Sequence, residues 1–62
     1  MKITVFEGDY EIGTCTLDHF LAANADDPLP PEEVAAIRGL EISGTHTTNL
    51  GAGGTFSVLR VE

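Results

Sequence analysis

The sequence predicts a small α+β domain of order ββααββ, an antiparallel sheet built from two hairpins with two short helices packed against it. Three observations lead there. Period-two runs of β-branched and aromatic residues occupy both ends of the chain, at 2–6 and 55–61. Between them, Leu17, Phe20 and Leu21, then Val34 and Ile37, keep helical spacing. No internal repeat or flexible linker divides the 62 residues, so residues 1–62 are read as a single compact domain.

The first run, "KITVF", places Ile3 and Val5 on one face and Thr4 and Phe6 on the other. Gly8 and Asp9 in "EGD" signal a turn. "YEIGTCT" alternates next, with Tyr10, Ile12 and Thr14 expected on one side and Glu11, Gly13 and Cys15 on the other. The two runs form a hairpin, and Gly13 marks a bulge or a close backbone approach. Thr16 then caps a helix, and Asp18 supplies a carboxylate in its first turn, where the helix dipole favours one. Asn24 is expected to end that helix in the left-handed conformation.

"ADDPLPP" holds three prolines in four residues and must be an extended connection. Pro31 suits the first position of a second helix, with Glu32 and Glu33 in its first turn and Gly39 at its stop. That helix has about two turns and needs packing to persist in water. "LEISGTHTTNL" and "TFSVLRVE" read as two further strands. In the last, Phe56 and Val58 share one face and Leu59 and Val61 the other.

A domain of about 60 residues buries only about 60% of its unfolded surface, so small scaffolds usually need a staple or a partner. The one cysteine, Cys15, has no partner for an internal disulfide, and with His19 and His46 it falls short of a structural zinc set. No cofactor is expected, and a second copy would be one way to complete the core. Ten acids against three bases give a formal charge of −7. That field repels nucleic acid and anionic membranes and attracts basic surfaces. The N-terminus lacks the long apolar run of a signal peptide, and the lone cysteine fits a cytoplasmic setting.

The glycine-rich "NLGAGGTF" invites comparison with a phosphate loop. A Walker loop requires lysine and a hydroxyl after its last glycine, but Thr55 and Phe56 follow Gly54. A dinucleotide fingerprint requires a helix there, and the next residues alternate like a strand. A flexible hairpin loop, or a flat contact for a partner, is the expected role of Gly51–Gly54. His46 sits among threonines in "THTT", but strand neighbours point to opposite faces, so it is expected to be an ordinary exposed strand residue. His19 is expected at the surface and Cys15 as a small core residue near a strand end. Cys15, Asp18 and His19 would make only a crowded metal set at one helix start. No catalytic constellation emerges, and the chain is read as a non-enzyme.

The acids are more informative as a set. Glu7, Asp9 and Glu11 surround the first turn, while Asp26, Asp27, Glu32 and Glu33 surround the proline segment. They are expected to form one or two docking faces for a basic protein site, or else a merely solvated surface. Tyr10, within "EGDYE", would serve as an apolar anchor. In size and charge the chain resembles the small acidic inhibitor proteins encoded by phages, anti-CRISPR proteins among them. The resemblance is one of kind and rests on no shared motif. It implies an inhibitor that occupies a nucleic-acid-binding surface as a nucleic-acid mimic. The alternative is a phage-type structural or accessory module that assembles through apolar strand edges and carries its acids for solubility. Strong salt dependence of binding separates the first class from the second.

Overall fold

The computed structural model describes residues 1–49 and 55–62. The reading of Gly51–Gly54 as a hairpin loop or partner contact lies outside the described residues. The elements run β1 (Lys2–Glu7), β2 (Tyr10–Thr16), α1 (Leu17–Ala23), α2 (Pro31–Arg38), β3 (Thr45–Asn49) and β4 (Thr55–Arg60), in the expected ββααββ order. All strand pairs are antiparallel and form one sheet of order β2-β1-β4-β3. The hairpins therefore join through their first and last strands, leaving β2 and β3 at the edges.

Both helices cover one sheet face. The core consists of Ile3 and Val5 from β1, Val58 from β4, Leu17 from α1 and Ile37 from α2. Val5 lies opposite Val58 in the register, so two β-branched side chains meet at the sheet centre. Phe20, Leu21, Leu29, Leu40, Phe56 and Cys15 pack around this centre as a partly buried rim. Phe20 meets Phe56 edge to face at 5.7 Å between ring centroids. The faces expected for β1 and β4 are those observed. The other sheet face carries no helix and is rich in hydroxyls: one row crosses it as Thr14, Thr4, Leu59 and Thr45. Thr4 is buried even there and hydrogen-bonds Thr14 between hydroxyls at 2.8 Å.

Local chemistry accounts for the element ends. Gly8 adopts φ 60° in the two-residue β1–β2 turn, a conformation that costs glycine little. The backbone N–H of His19 donates to Thr16 Oγ1, the cap expected from the sequence. Pro31 occupies the start of α2.

Three expectations require correction. The β2 bulge, one of the two readings of Gly13, falls at the neighbouring Ile12, and it changes the expected alternation: Val5 pairs with Gly13 but Phe6 pairs with Glu11, so Ile12 is the extra residue. A bulge reverses the alternation. Glu11 therefore joins Phe6 on the helix-free face, apart from Gly13 and Cys15, and Tyr10 pairs with Glu7 apart from Thr14. Second, Asn24 has φ −105° and is not left-handed; its side-chain amide instead donates to the Phe20 carbonyl at 2.8 Å. Third, the third strand begins at Thr45 rather than near Leu40. Ser43 takes φ 72°, and Arg60 holds the preceding loop by donating to the Leu40 carbonyl at 2.7 Å. Of the residues with helical spacing, Leu17 and Ile37 stand in the fully buried centre and Phe20 in the rim.

Candidate functional site

The topology places the acids. β1 runs toward the Gly8–Asp9 turn, and Glu7 pairs with Phe56 near the start of β4. α1 begins at the opposite end, after Thr16, and returns along the sheet. Its C-cap Asn24 therefore lines one cavity with Glu7, Ile12, Thr55 and Phe56 beside the turn. α2 runs the other way, since Arg38 at its end meets Asp18 at the start of α1 at 3.9 Å. The α1–α2 connection, with Asp26 and Asp27, thus starts beside Glu7, and α2 begins with Glu32 and Glu33 against β3.

Glu7, Asp9 and Glu11 surround the β1–β2 turn, Asp26 and Asp27 follow Asn24 in the α1–α2 connection, and Glu32 and Glu33 stand in the first turn of α2, where Glu33 meets His46 level with the Val5–Val58 pair. The rest of the chain contains Lys2, Arg38 and Arg60 together with Asp18, Glu41 and Glu62, three bases against three acids. Lys2 pairs with Glu62 at 3.0 Å. Arg60 donates to the carbonyls of Leu40 and Glu62. These six residues cancel in formal charge, so the −7 resides in the seven acids around the first turn, the α1–α2 connection and the start of α2. Asn24 beside Glu7 brings the start of the α1–α2 connection toward the first turn, while Glu33 faces β3.

Within this set Glu33 is distinct. Its carboxylate pairs with His46 Nε2 across the α2–β3 contact. The two side chains are only 27% and 25% exposed, so His46 is not the exposed strand residue expected, and Glu33 is engaged within the fold. A strand contact with a helix was not visible in "THTT", because it depends on where α2 comes to lie. Thr45 and Thr47 do turn to the opposite face, where the Thr47 and Ser57 hydroxyls hydrogen-bond at 3.0 Å. The other acids of the set are exposed.

Apolar surface adjoins the acids. Tyr10 is 73% exposed and Ile12, pushed out by the bulge, is 55% exposed. Behind them an open groove of about 360 Å³ runs between β2 and α1. Ile12, Cys15, Phe20 and Ala23 supply much of its wall. Sequence reasoning found Tyr10 but missed Ile12 and the groove. Ile12 resembled any alternating strand residue, and only the bulge exposes it. Cys15 is half-buried at this wall, and His19 is exposed. With Asp18 they do not gather as a metal-ligand group, and no group of three such residues occurs among the described residues. Among the described residues, no helix is long and apolar enough to cross a membrane.

No family model, curated protein or solved structure matches this chain.

Proposed function

We propose that this chain is a small acidic binding protein whose turn end docks on a basic protein surface of the kind that otherwise holds nucleic acid, so that it acts as an inhibitor. The observation that supports this reading is the division of charge: the seven acids around the first turn, the α1–α2 connection and the start of α2 carry the full −7, while the remaining three acids and three bases balance. Repulsion among exposed carboxylates disfavours such an arrangement in the free chain. A basic partner relieves that repulsion and is steered toward this end before contact. Six exposed carboxylates spread over a turn, a connection and a helix start offer several points of contact to lysines and arginines. Tyr10 at the same end supplies an aromatic anchor.

The test is capture of partners from a bacterial lysate at low and high salt, followed by competition with duplex DNA and with RNA. A basic protein that is captured at low salt, released by ~1 M salt and displaced by nucleic acid supports the reading. The double variant Asp9→Lys, Glu11→Lys should lose capture chiefly through a slower association rate. Capture that is indifferent both to salt and to this charge reversal would refute it.

A second reading, an assembly module, draws on the helix-free sheet face, where Phe6 and Leu59 stay partly exposed and Val61 is exposed. It predicts self-association that persists at high salt, which sedimentation at both salt concentrations would detect.

A further inference from the structure

The edge strand β2 joins three features that the acidic end alone does not require. First, among the described residues its outer side pairs with no strand, because β2 ends the sheet order. Alternate residues of an antiparallel edge turn their N–H and C=O groups outward, where another strand can bond them. Second, β2 lacks the lysine or proline that commonly guards an edge; "YEIGTCT" has only Glu11 and the Ile12 bulge. Third, the groove between β2 and α1 opens beside this edge and is walled largely by apolar side chains. The other edge differs. β3 is flanked by α2 through the Glu33–His46 pair, and "THTTN" carries no acid.

We infer that β2 receives an extended segment of the basic partner as an added strand, with an apolar side chain of that segment entering the β2–α1 groove and its alternate lysines or arginines turned to the helix-free face, where they meet Glu11 and, at the turn, Asp9. The inference rests on the functional reading above and names the form of the partner. Charge complementarity selects this occupant. The edge begins at the acidic first turn, so an added strand with basic side chains meets Glu11 and Asp9 where it reaches that turn. A second copy of this chain would instead bring another −7 to the edge. Main-chain bonding supplies affinity in such strand addition, and the pocket for alternate side chains supplies selectivity. The bulge assists, because it pushes Ile12 out to the groove rim, where an incoming side chain can cover it.

Three capped peptides of equal charge test the inference: one alternating lysine and valine, one alternating lysine and glycine, and the lysine–valine peptide with every valine amide N-methylated. Binding is followed by calorimetry, and backbone amide exchange of the labelled chain by NMR. The lysine–valine peptide should bind at least about tenfold tighter than the glycine peptide, since it buries apolar side chains. It should slow exchange at outward amides of β2 and leave β3 unchanged. N-methylation should remove the gain, and Ile12→Lys should reduce it without unfolding the chain, because Ile12 is already exposed.

Equal, salt-sensitive binding of all three peptides, without protection of β2, overturns strand addition and leaves the acidic end as the docking site. Failure of every peptide to bind at low salt removes both the inference and the reading beneath it. Protection of β2 that grows with protein concentration in the absence of peptide assigns the edge to a second copy and likewise overturns the inference. Loss of the Cys15 reaction with a thiol reagent on adding the lysine–valine peptide, but not the glycine peptide, is a further expected result, since Cys15 lines the groove.

Discussion

Ile37 is fully buried between sheet and helices, as is Leu17 to within 2%. Truncating either to alanine removes apolar contacts and leaves a cavity, at a cost of about 2–5 kcal/mol. A chain of this length has a total stability of about 3–9 kcal/mol, so Ile37→Ala should be largely unfolded at 37 °C by circular dichroism. Phe20→Ala should cost less than Leu17→Ala in urea titrations, because Phe20 sits at the rim. The reverse order would place Phe20 in the centre. Thr48 is a different case. It is 1% exposed, and its hydroxyl has no hydrogen-bond partner among the described residues. Valine has nearly the same shape without the buried hydroxyl. Thr48→Val should therefore raise stability by about 1 kcal/mol, read as a higher urea midpoint at unchanged slope.

At the scale of elements, the β1–β2 hairpin depends on its turn. Gly8 has φ 60°, and a side chain there adds strain of about 1–2 kcal/mol even though an added Cβ meets nothing within 4 Å. Gly8→Ala should lower the thermal midpoint and loosen the register of β2, which NMR amide exchange would report as faster exchange at Tyr10 and Glu11. An unchanged exchange pattern would mean that the bulge and β1 pairing hold the register without the turn. α2 shows the opposite dependence. Its own sequence supplies about two turns and a proline start, which would not persist in isolation. Ile37, Leu40 and the Glu33–His46 pair attach it to the sheet. The sequence revealed the helix through Pro31, Val34 and Ile37, but the length of β3 was overestimated. Leu40 and Ile42 look like strand residues locally. Yet Leu40 packs against the core, while Ile42 is exposed in a turn and its loop is held by Arg60.

Across the whole molecule, charge is divided unevenly, and its energetic consequence can be measured. Carboxylates crowded around the first turn, Glu7, Asp9 and Glu11, repel each other within roughly a Debye length, about 10 Å at 0.1 M salt. The ion pairs at the other end, Lys2–Glu62 and Arg38–Asp18, are exposed and contribute little, so screening them loses little. Added sodium chloride should therefore raise the thermal midpoint of the free chain by several degrees, on a scale where about 1 kcal/mol shifts it about 4–8 °C. The Asp9→Lys, Glu11→Lys variant should show a smaller salt response. An equal response in both proteins would argue against repulsion at this end as its origin.

The sequence by itself determined the kind and order of the elements, the apolar faces of β1 and β4, the Thr16 cap and the concentration of acids at connections. These follow from relations among near neighbours: period two for a strand, three-and-four spacing for a helix, proline and glycine at breaks. Only the tertiary structure decided that β1 pairs with β4, that α1 and α2 run in opposite directions, and that the α1–α2 connection starts beside Glu7. The same is true of the Glu33–His46 pair and of the groove beside Ile12. Each depends on contacts between residues far apart in the chain, and burial of Ile3, Leu17, Ile37 and Val58 in one core selects them together. Local periodicity carries no information about which distant surface will satisfy that burial.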